Sequence, residues 1–413
     1  MTEFVMPAFD PALLPPSVRF GLSDTLPWLN RMRAANPVLR DPFGMHHVFT
    51  HAEVQKALGD PGTFSSDPSH VMPQAAAELS AGMLAVMDPP AHTKVRRIAS
   101  AAFTPKRVKD LNERIEAIAE ELLDAVAEDE FDFVTSFSQY LPLVVVSELL
   151  GIPRADLPQF LGWTEQLLQV TVPNPNDAAE MDAALQAALF GPLVQMQQYM
   201  AGLCAELRAN PRDGFISDLL HAEVDGERLA DHEAVNLAIQ LLQAGHITSA
   251  SVLANSVLKL AENPGIEARL RADPALIPAA VDEVLRFTPP VPRLQRFTTT
   301  DTELGGVRIP AKSMVFLSLL SANHDEAEFT DPDTFDIDRG ASRNLTFGHG
   351  IHFCLGAMLA RVEVTGALDA LFDRIPVWTI DEAVEYRESH LLFAPKRVPL
   401  VVSTTTTDRR DPA

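Results

Sequence analysis

The stretch Phe347-Gly348-His349-Gly350-Ile351-His352-Phe353-Cys354-Leu355-Gly356 decides the fold. Six fixed residues at these offsets would coincide by chance on the order of once in a million chains of average composition. Gly348, Gly350 and Gly356 let the backbone turn tightly beneath a flat ligand. Helical periodicity follows from about Ala357 to Leu371, so Cys354 stands just ahead of a helix N-terminus, where the dipole and free amides favour a thiolate. A thiolate can ligate iron and push electron density toward oxygen. Zinc on His349, His352 and Cys354 is the competing use, but all three fall within one short loop and no second cluster supplies distant ligands.

The longest helical pattern lies upstream, from the N-cap candidate Asp231 and first-turn Glu233 to just before Pro264. Roughly 30 residues make about 45 Å of helix, long enough that it must run through the core. Its centre reads Leu241-Leu242-Gln243-Ala244-Gly245-His246-Ile247-Thr248-Ser249. Gly245 costs a helix about 1 kcal/mol relative to Ala, so something should compensate. Thr248 can return its hydroxyl to the Ala244 carbonyl and loosen the helix beside Gly245. A ligand groove and a plain Gly/Thr packing notch both satisfy this pattern.

Around these two elements the chain reads as mainly α with small β-sheets. Residues 1–25 form an irregular proline-rich arm, a short helix is expected near Leu26–Ala35, and Val38 with His47–Thr50 suggests a strand pair before a helix at 51–58. Ser65–Pro90 reads as a mobile loop. Helical periodicity dominates from Ala91 to Leu285, broken at Gly151-Ile152-Pro153, at Pro173–Asn176 and at Asn210–Gly214. Strand-like alternation appears after Arg296, with Gly305-Gly306 as a hairpin turn, and again near Leu400; 403–413 reads as a flexible tail.

Composition bounds the function. At 46% hydrophobic and 22% charged, 413 residues can bury a large core, and no linker, charge block or repeat divides them, so 1–413 reads as one domain. A net charge of -23 repels phosphate backbones and argues against nucleic acid. Two cysteines, Cys204 and Cys354, fit free thiols in a reducing cytoplasm. The N-terminus has neither a basic region nor a long apolar run, so no signal peptide or membrane anchor is expected. No Gly-x-Gly-x-x-Gly dinucleotide fingerprint occurs, and no flavin-binding domain is expected at either end.

The decapeptide resembles the haem-binding signature of the cytochrome P-450 superfamily, bacterial class. Glu283-Val284-Leu285-Arg286 resembles the family's Glu-x-x-Arg, although two residues three apart on a helix are also an ordinary surface ion pair. Phe335-Asp336-Ile337-Asp338-Arg339 resembles the meander that closes onto it, and Met87 to Arg97 the segment whose His92 and Arg96 hold a haem propionate. The resemblance implies a haem between the long central helix and the cysteine loop, with Cys354 as axial ligand to iron. Arg296 and His352 would contact propionates, and Phe347 and Gly348 would bind the cofactor. Thr248, Gly245 and Ala244 would form the oxygen-binding groove, with one departure: the acid that usually precedes the threonine is Ile247. Met72, Met83, His246, Val291, Leu294 and Phe393 would line the substrate side, beneath lids at Ser65–Val86 and Trp163–Met200. Glu283 and Arg286 would be structural.

The groove and the general run of the chain are similar to actinobacterial hydroxylases that tailor macrolides, the erythromycin type in particular. The implied activity is a haem-thiolate monooxygenase inserting one atom of O2, as hydroxyl or epoxide, into a macrolide, related polyketide or cyclic peptide. The cofactor would be haem b, with electrons from NAD(P)H through a ferredoxin or flavodoxin and its reductase. Arg96, Arg97, Lys106, Arg107, Lys109, Arg343 and Arg361 should border the docking face of an acidic partner in a cytoplasmic monomer. Two other readings stand beside it. One is a peroxide-fed or aryl-coupling haem-thiolate enzyme; the other is a relative that recruits carrier proteins, which should lack the axial cysteine.

Overall fold

The structure is a computed structural model that describes residues 13, 16, 21–70, 82–103, 111–126, 129–169, 183–340, 343–380, 382–387, 389 and 392–403. Met72, Met181, Lys106, Arg107, Lys109, the break at 173–176 and the tail from 404 lie outside them. The described helices, in chain order, are α1 (Leu22–Ala35), α2 (His51–Gly59), α3 (Ala91–Ala102), α4 (Asn112–Asp124), α5 (Tyr140–Leu150), α6 (Leu157–Gln169), α7 (Ala183–Ala209), α8 (Phe215–His221), α9 (Asp231–Glu262), α10 (Pro264–Ala272), α11 (Ile277–Phe287), α12 (Leu319–Asn323) and α13 (Ala357–Arg374). The strands are β1 (Val38–Arg40), β2 (His46–Val48), β3 (Phe64–Ser65), β4 (Glu130–Asp132), β5 (Arg293–Thr298), β6 (Thr302–Leu304), β7 (Val307–Ile309), β8 (Met314–Ser318), β9 (Val377–Thr379) and β10 (Pro399–Ser403).

The chain divides into two compact units. The first takes in the described residues of Met1–Ala77, Asp282–Cys354 and Glu385–Phe393. A five-stranded sheet, ordered β1-β2-β8-β5-β3, is its frame, with β2 parallel to β8 and the other neighbours antiparallel. Helix α2 lays Val54, Ala57 and Leu58 against Val48, Val315 and Leu317, the i, i+3, i+4 stripe of an amphipathic helix on a sheet face. Helix α1 buries Trp28, Leu29 and Met32 with Phe49 and Leu320. It begins a turn earlier than expected, at Leu22 rather than Leu26, with Pro27 inside. The Gly305-Gly306 turn has positive φ at both residues, 54° and 78°, as a tight β6–β7 hairpin requires.

The second unit takes in the described residues of Glu78–Val281, Leu355–Val384 and Ala394–Ala413. Its axis is α9, 32 residues or about 48 Å long, packed against α5, α7 and α13. The helix opens where the Ala230 N–H donates to the Glu233 carboxylate at 2.8 Å, so Ala230 is the cap and Asp231 the first helical residue. It ends where the Asn263 side chain donates to the Lys259 carbonyl at 2.8 Å and Pro264 starts the next helix. Among the described residues it is the one helix long and apolar enough to cross a membrane, and 61% of its most apolar window is buried inside the protein, as befits a core helix. A small antiparallel sheet, β4-β10-β9, completes the unit.

Candidate functional site

In the first unit, a chain of hydrogen bonds leads from α11 to the cysteine loop. Arg286 and Glu283 form a bidentate pair at 2.8 and 2.7 Å, with only 0% and 3% of their side chains exposed. The surface-pair alternative is therefore wrong. Arg286 also donates to the carbonyls of Asn323, Pro332 and Thr334, and Glu283 accepts from the Asp336 N–H and from Arg339, so the segment after Thr330 closes onto the pair. Asn323 passes the order on: its side chain accepts from the Leu345 N–H at 2.7 Å and donates to Thr346 Oγ1 at 2.9 Å.

The loop itself is then shaped by backbone. The Gly348 N–H donates to the Leu345 carbonyl and the Cys354 N–H to the Phe347 carbonyl at 2.9 Å. Gly348 and Gly350 have φ of 74° and 69°, and a Cβ on Gly350 would stand 2.9 Å from the Leu58 carbonyl oxygen. A side chain at either position is strained by its φ, and at Gly350 the Leu58 backbone would also have to move. Cys354 is exposed, three residues ahead of α13, whose N-terminus has no side-chain cap. The Phe347 and Phe353 rings lie 6.3 Å apart, and His352 Nε2 is 3.1 Å from Ser66 Oγ. Ser66 carried no signal in the sequence. An accessible thiol in a glycine-opened loop at a helix start fits a thiolate-bound flat cofactor. Arg296 is 5% exposed in β5, its Nη1 donating to the Gln295 carbonyl at 2.8 Å.

In the second unit, α9 carries the groove pattern. Thr248 Oγ1 donates to the Ala244 carbonyl at 2.6 Å, with Ala244 exposed. Ser251 does the same to the Ile247 carbonyl at 2.8 Å. Gly245 serves packing: a Cβ there would meet Val146 of α5 at 3.1 Å. The packing notch and the threonine bond to the preceding turn thus coexist, on different residues of an unbroken helix. His92, in the first turn of α3, is 2% exposed, and burial, then the Arg96 charge, hold its ring below the usual imidazole pKa. Arg96 follows one turn on and is half-buried. Lys94 is tied to Glu233 at 2.9 Å, and Arg97 to Asp225 and Glu227 at 2.8 and 2.7 Å. Arg97 is thus held by a pair of carboxylates.

One substrate-side expectation, His246, needs correction. His246 is 2% exposed on the opposite side of α9 from Ala244 and Thr248, about 200° round the helix. It is hydrogen-bonded to the Gln139 backbone, and burial pushes its pKa down to about 4. It is a neutral packing residue. Leu294 packs against the core cluster of the sheet and α2, because the alternation of β5 puts it on the face opposite Arg293. Phe393 is 1% exposed, its ring 4.5 Å from Tyr386 and its N–H donating to the Pro290 carbonyl. Val291 and Met83 are half-buried. Met196 and Met200, expected in a lid, are core residues at 1% and 0% exposed.

One buried acid was missed. Glu363, in α13, is 2% exposed and hydrogen-bonded to Ser249 of α9; burial pushes its pKa up to about 8. The signal was present: Leu359, Glu363, Gly366, Ala367 and Ala370 follow the spacing of one buried helix face, with an acid among apolar residues.

The family model for cytochrome P450 matches residues 40–397. The chain is 43% identical over 393 residues to erythromycin C-12 hydroxylase of Saccharopolyspora erythraea, covering 93% of this chain and 97% of that one. It is 42% identical over 352 residues to cyclomarin C epoxidase CymV of Salinispora arenicola, covering 84% and 88%. Among solved structures, the open cytochrome P450 EryK of S. erythraea superposes with a TM-score of 0.86 at 41% identity, over 94% of this chain and 97% of that one. The chain belongs to the cytochrome P450 family. It is a monooxygenase of that family, whose members carry haem, use O2 and take electrons from a partner protein.

Proposed function

We propose that this monooxygenase inserts one oxygen atom, as hydroxyl or epoxide, into a bulky secondary metabolite such as a macrolide, polyketide or cyclic peptide. The support is similarity to an erythromycin hydroxylase and a cyclomarin epoxidase along most of both chains. The observation that carries the chemistry is the exposed Cys354 thiol in its glycine-opened loop. When bound, a haem b would supply iron-centred activation of O2. Cys354 would hold the iron as thiolate, with Phe347 and Gly348 beside it, and His92, Arg96, Arg296 and His352 would bind the propionates by charge-assisted hydrogen bonds.

Ala244, Gly245 and Thr248 would form the oxygen side. The Thr248 hydroxyl, already turned to the Ala244 carbonyl, would orient water and pass protons, because Ile247 cannot carry one. Val291 and Met83 would meet the substrate, with Met72 beyond the described residues. Electrons would come from NAD(P)H through a ferredoxin or flavodoxin and its reductase, to a cytoplasmic monomer. One family model runs through both compact units, which supports a single catalytic domain. The test is a panel of macrolides, linear polyketides and cyclic peptides screened for type I spectral shifts, followed by NADPH-driven turnover and product mass. A shift and a product 16 mass units heavier support the reading, as oxygen insertion requires roughly that gain. Turnover with peroxide alone would replace it.

A further inference from the structure

We propose that Arg293 and the cavity beside it form a second ligand site, on the sheet face turned away from the cysteine loop, for a small monocarboxylate with an apolar body. Arg293 of β5 stands opposite Ser318 of β8, Gln295 stands opposite Phe316, and Phe316 pairs with His47 of β2. Arg293, Phe316 and His47 therefore share one face of the five-stranded sheet. The other face carries Val48, Leu294, Val315 and Leu317 against α2, whose Leu58 carbonyl is the group that crowds Gly350 in the cysteine loop.

Helix α1 rests on the first of these faces through Trp28 and Leu29, packed with Phe49 and Leu320. Between them lies a cavity of about 70 Å³, lined by these four residues and Phe316, with Arg293 in its wall. At roughly 10–15 Å³ for each water, the space takes several waters or one small organic acid. Apolar walls with a single charged group set among them are the ordinary make-up of a small-molecule site.

Arg293 selects the ligand. The residue is half-buried, and its guanidinium lies 4.3 Å from the centre of the Phe316 ring, on which His47 also stacks at 5.3 Å. Its Nε is buried and meets no acceptor among the described residues. No described carboxylate pairs with it, and burial alone pushes its pKa below the usual guanidinium value. Asp41, bonded to His47 at 3.0 Å, is taken up further by the N–H groups of Phe43 and Met45. A cation held on a ring face has given up water for a partial return. A carboxylate offers the two parallel acceptors that fit a guanidinium fork, and its apolar body would lie along Trp28 and Leu29. A phosphate would satisfy the charge and leave the aromatic walls without a partner.

The test uses the holoprotein, with benzoate as probe, benzamide as its neutral near-isostere and inorganic phosphate as an anion without an apolar body, each titrated by calorimetry. Benzoate should bind roughly ten-fold tighter than either control, the gain of one charge-assisted hydrogen-bonded pair. Arg293→Gln should lose that ten-fold while its reduced carbon monoxide spectrum stays as in wild type. Benzoate should not move the Soret band, and saturating benzoate should leave the type I shifts of the panel compounds unchanged. No binding of benzoate, or equal binding of benzoate and either control, overturns the carboxylate assignment. A benzoate-induced Soret shift that persists in Arg293→Gln places the probe at the haem and overturns the second site. Should Arg293→Gln fail to hold haem, Arg293→Lys decides: an ammonium cannot present the planar fork, so benzoate should weaken several-fold, and unchanged affinity overturns the proposal.

Discussion

Arg286 donates to the carbonyl of Asn323 at 2.8 Å, and through that residue, together with Thr346, α11 sets the position of the cysteine loop. Asn323 binds Leu345 and Thr346 by its side chain, Thr346 Oγ1 donates back to the Leu285 carbonyl at 2.7 Å, and Cys354 follows within ten residues. An Arg286 charge with five hydrogen bonds inside the protein is a fixed point from which a loop can be hung. Its pair with Glu283 compensates the desolvation only while both members are present.

Removing one member should therefore cost more than an ion pair at the surface. Arg286→Ala or Glu283→Ala should lose about 3–5 kcal/mol of stability, because the partner is left charged and buried. Haem content should fall in parallel, since Asn323 loses its anchor. Chemical unfolding with haem quantified spectroscopically checks this; a loss below about 1 kcal/mol, the range of exposed pairs, would contradict it.

The Glu283–Arg286 pair shows what the sequence could and could not tell. Its spacing was legible, but burial was not, because an i, i+3 pair looks the same on a wet or a dry helix face. Cys354 and its glycines were legible because tight turns and a ligating thiol restrict residue types. The length of α9 was legible for a similar reason: its apolar pattern is unbroken to Pro264. His246 was misplaced because a motif gives positions in sequence but no direction around a helix. Glu363 was overlooked although its apolar neighbours marked a buried face.

His246 gives a pH dependence with a definite sign. Its folded pKa of about 4 lies below the unfolded 6.5, so between these values the unfolded chain binds the extra proton. Stability should thus rise with pH across that window, and acidification toward pH 4 should cost roughly 3 kcal/mol through this group. His246→Gln removes the titration. Unfolding of variant and wild type at pH 5 and 7 should show a shallower slope for the variant; an equal slope would mean that His246 is not buried neutral.

Thr248 and Ile247 should separate chemistry from packing. Thr248→Ala should divert electrons to hydrogen peroxide and lower product per NADPH, while Ile247→Ala should change substrate affinity with coupling nearly retained. Peroxide and product assays against NADPH consumption distinguish the two. Full coupling in Thr248→Ala would shift the proton path to the substrate or elsewhere.

The most direct measurement is the carbon monoxide spectrum of the reduced holoprotein. With Cys354 as thiolate ligand, wild type should show the strongly red-shifted Soret band of haem-thiolate, and Cys354→His or Cys354→Ala should abolish it. An unchanged red-shifted band in Cys354→Ala would contradict the ligand assignment and with it the account of the loop that carries it.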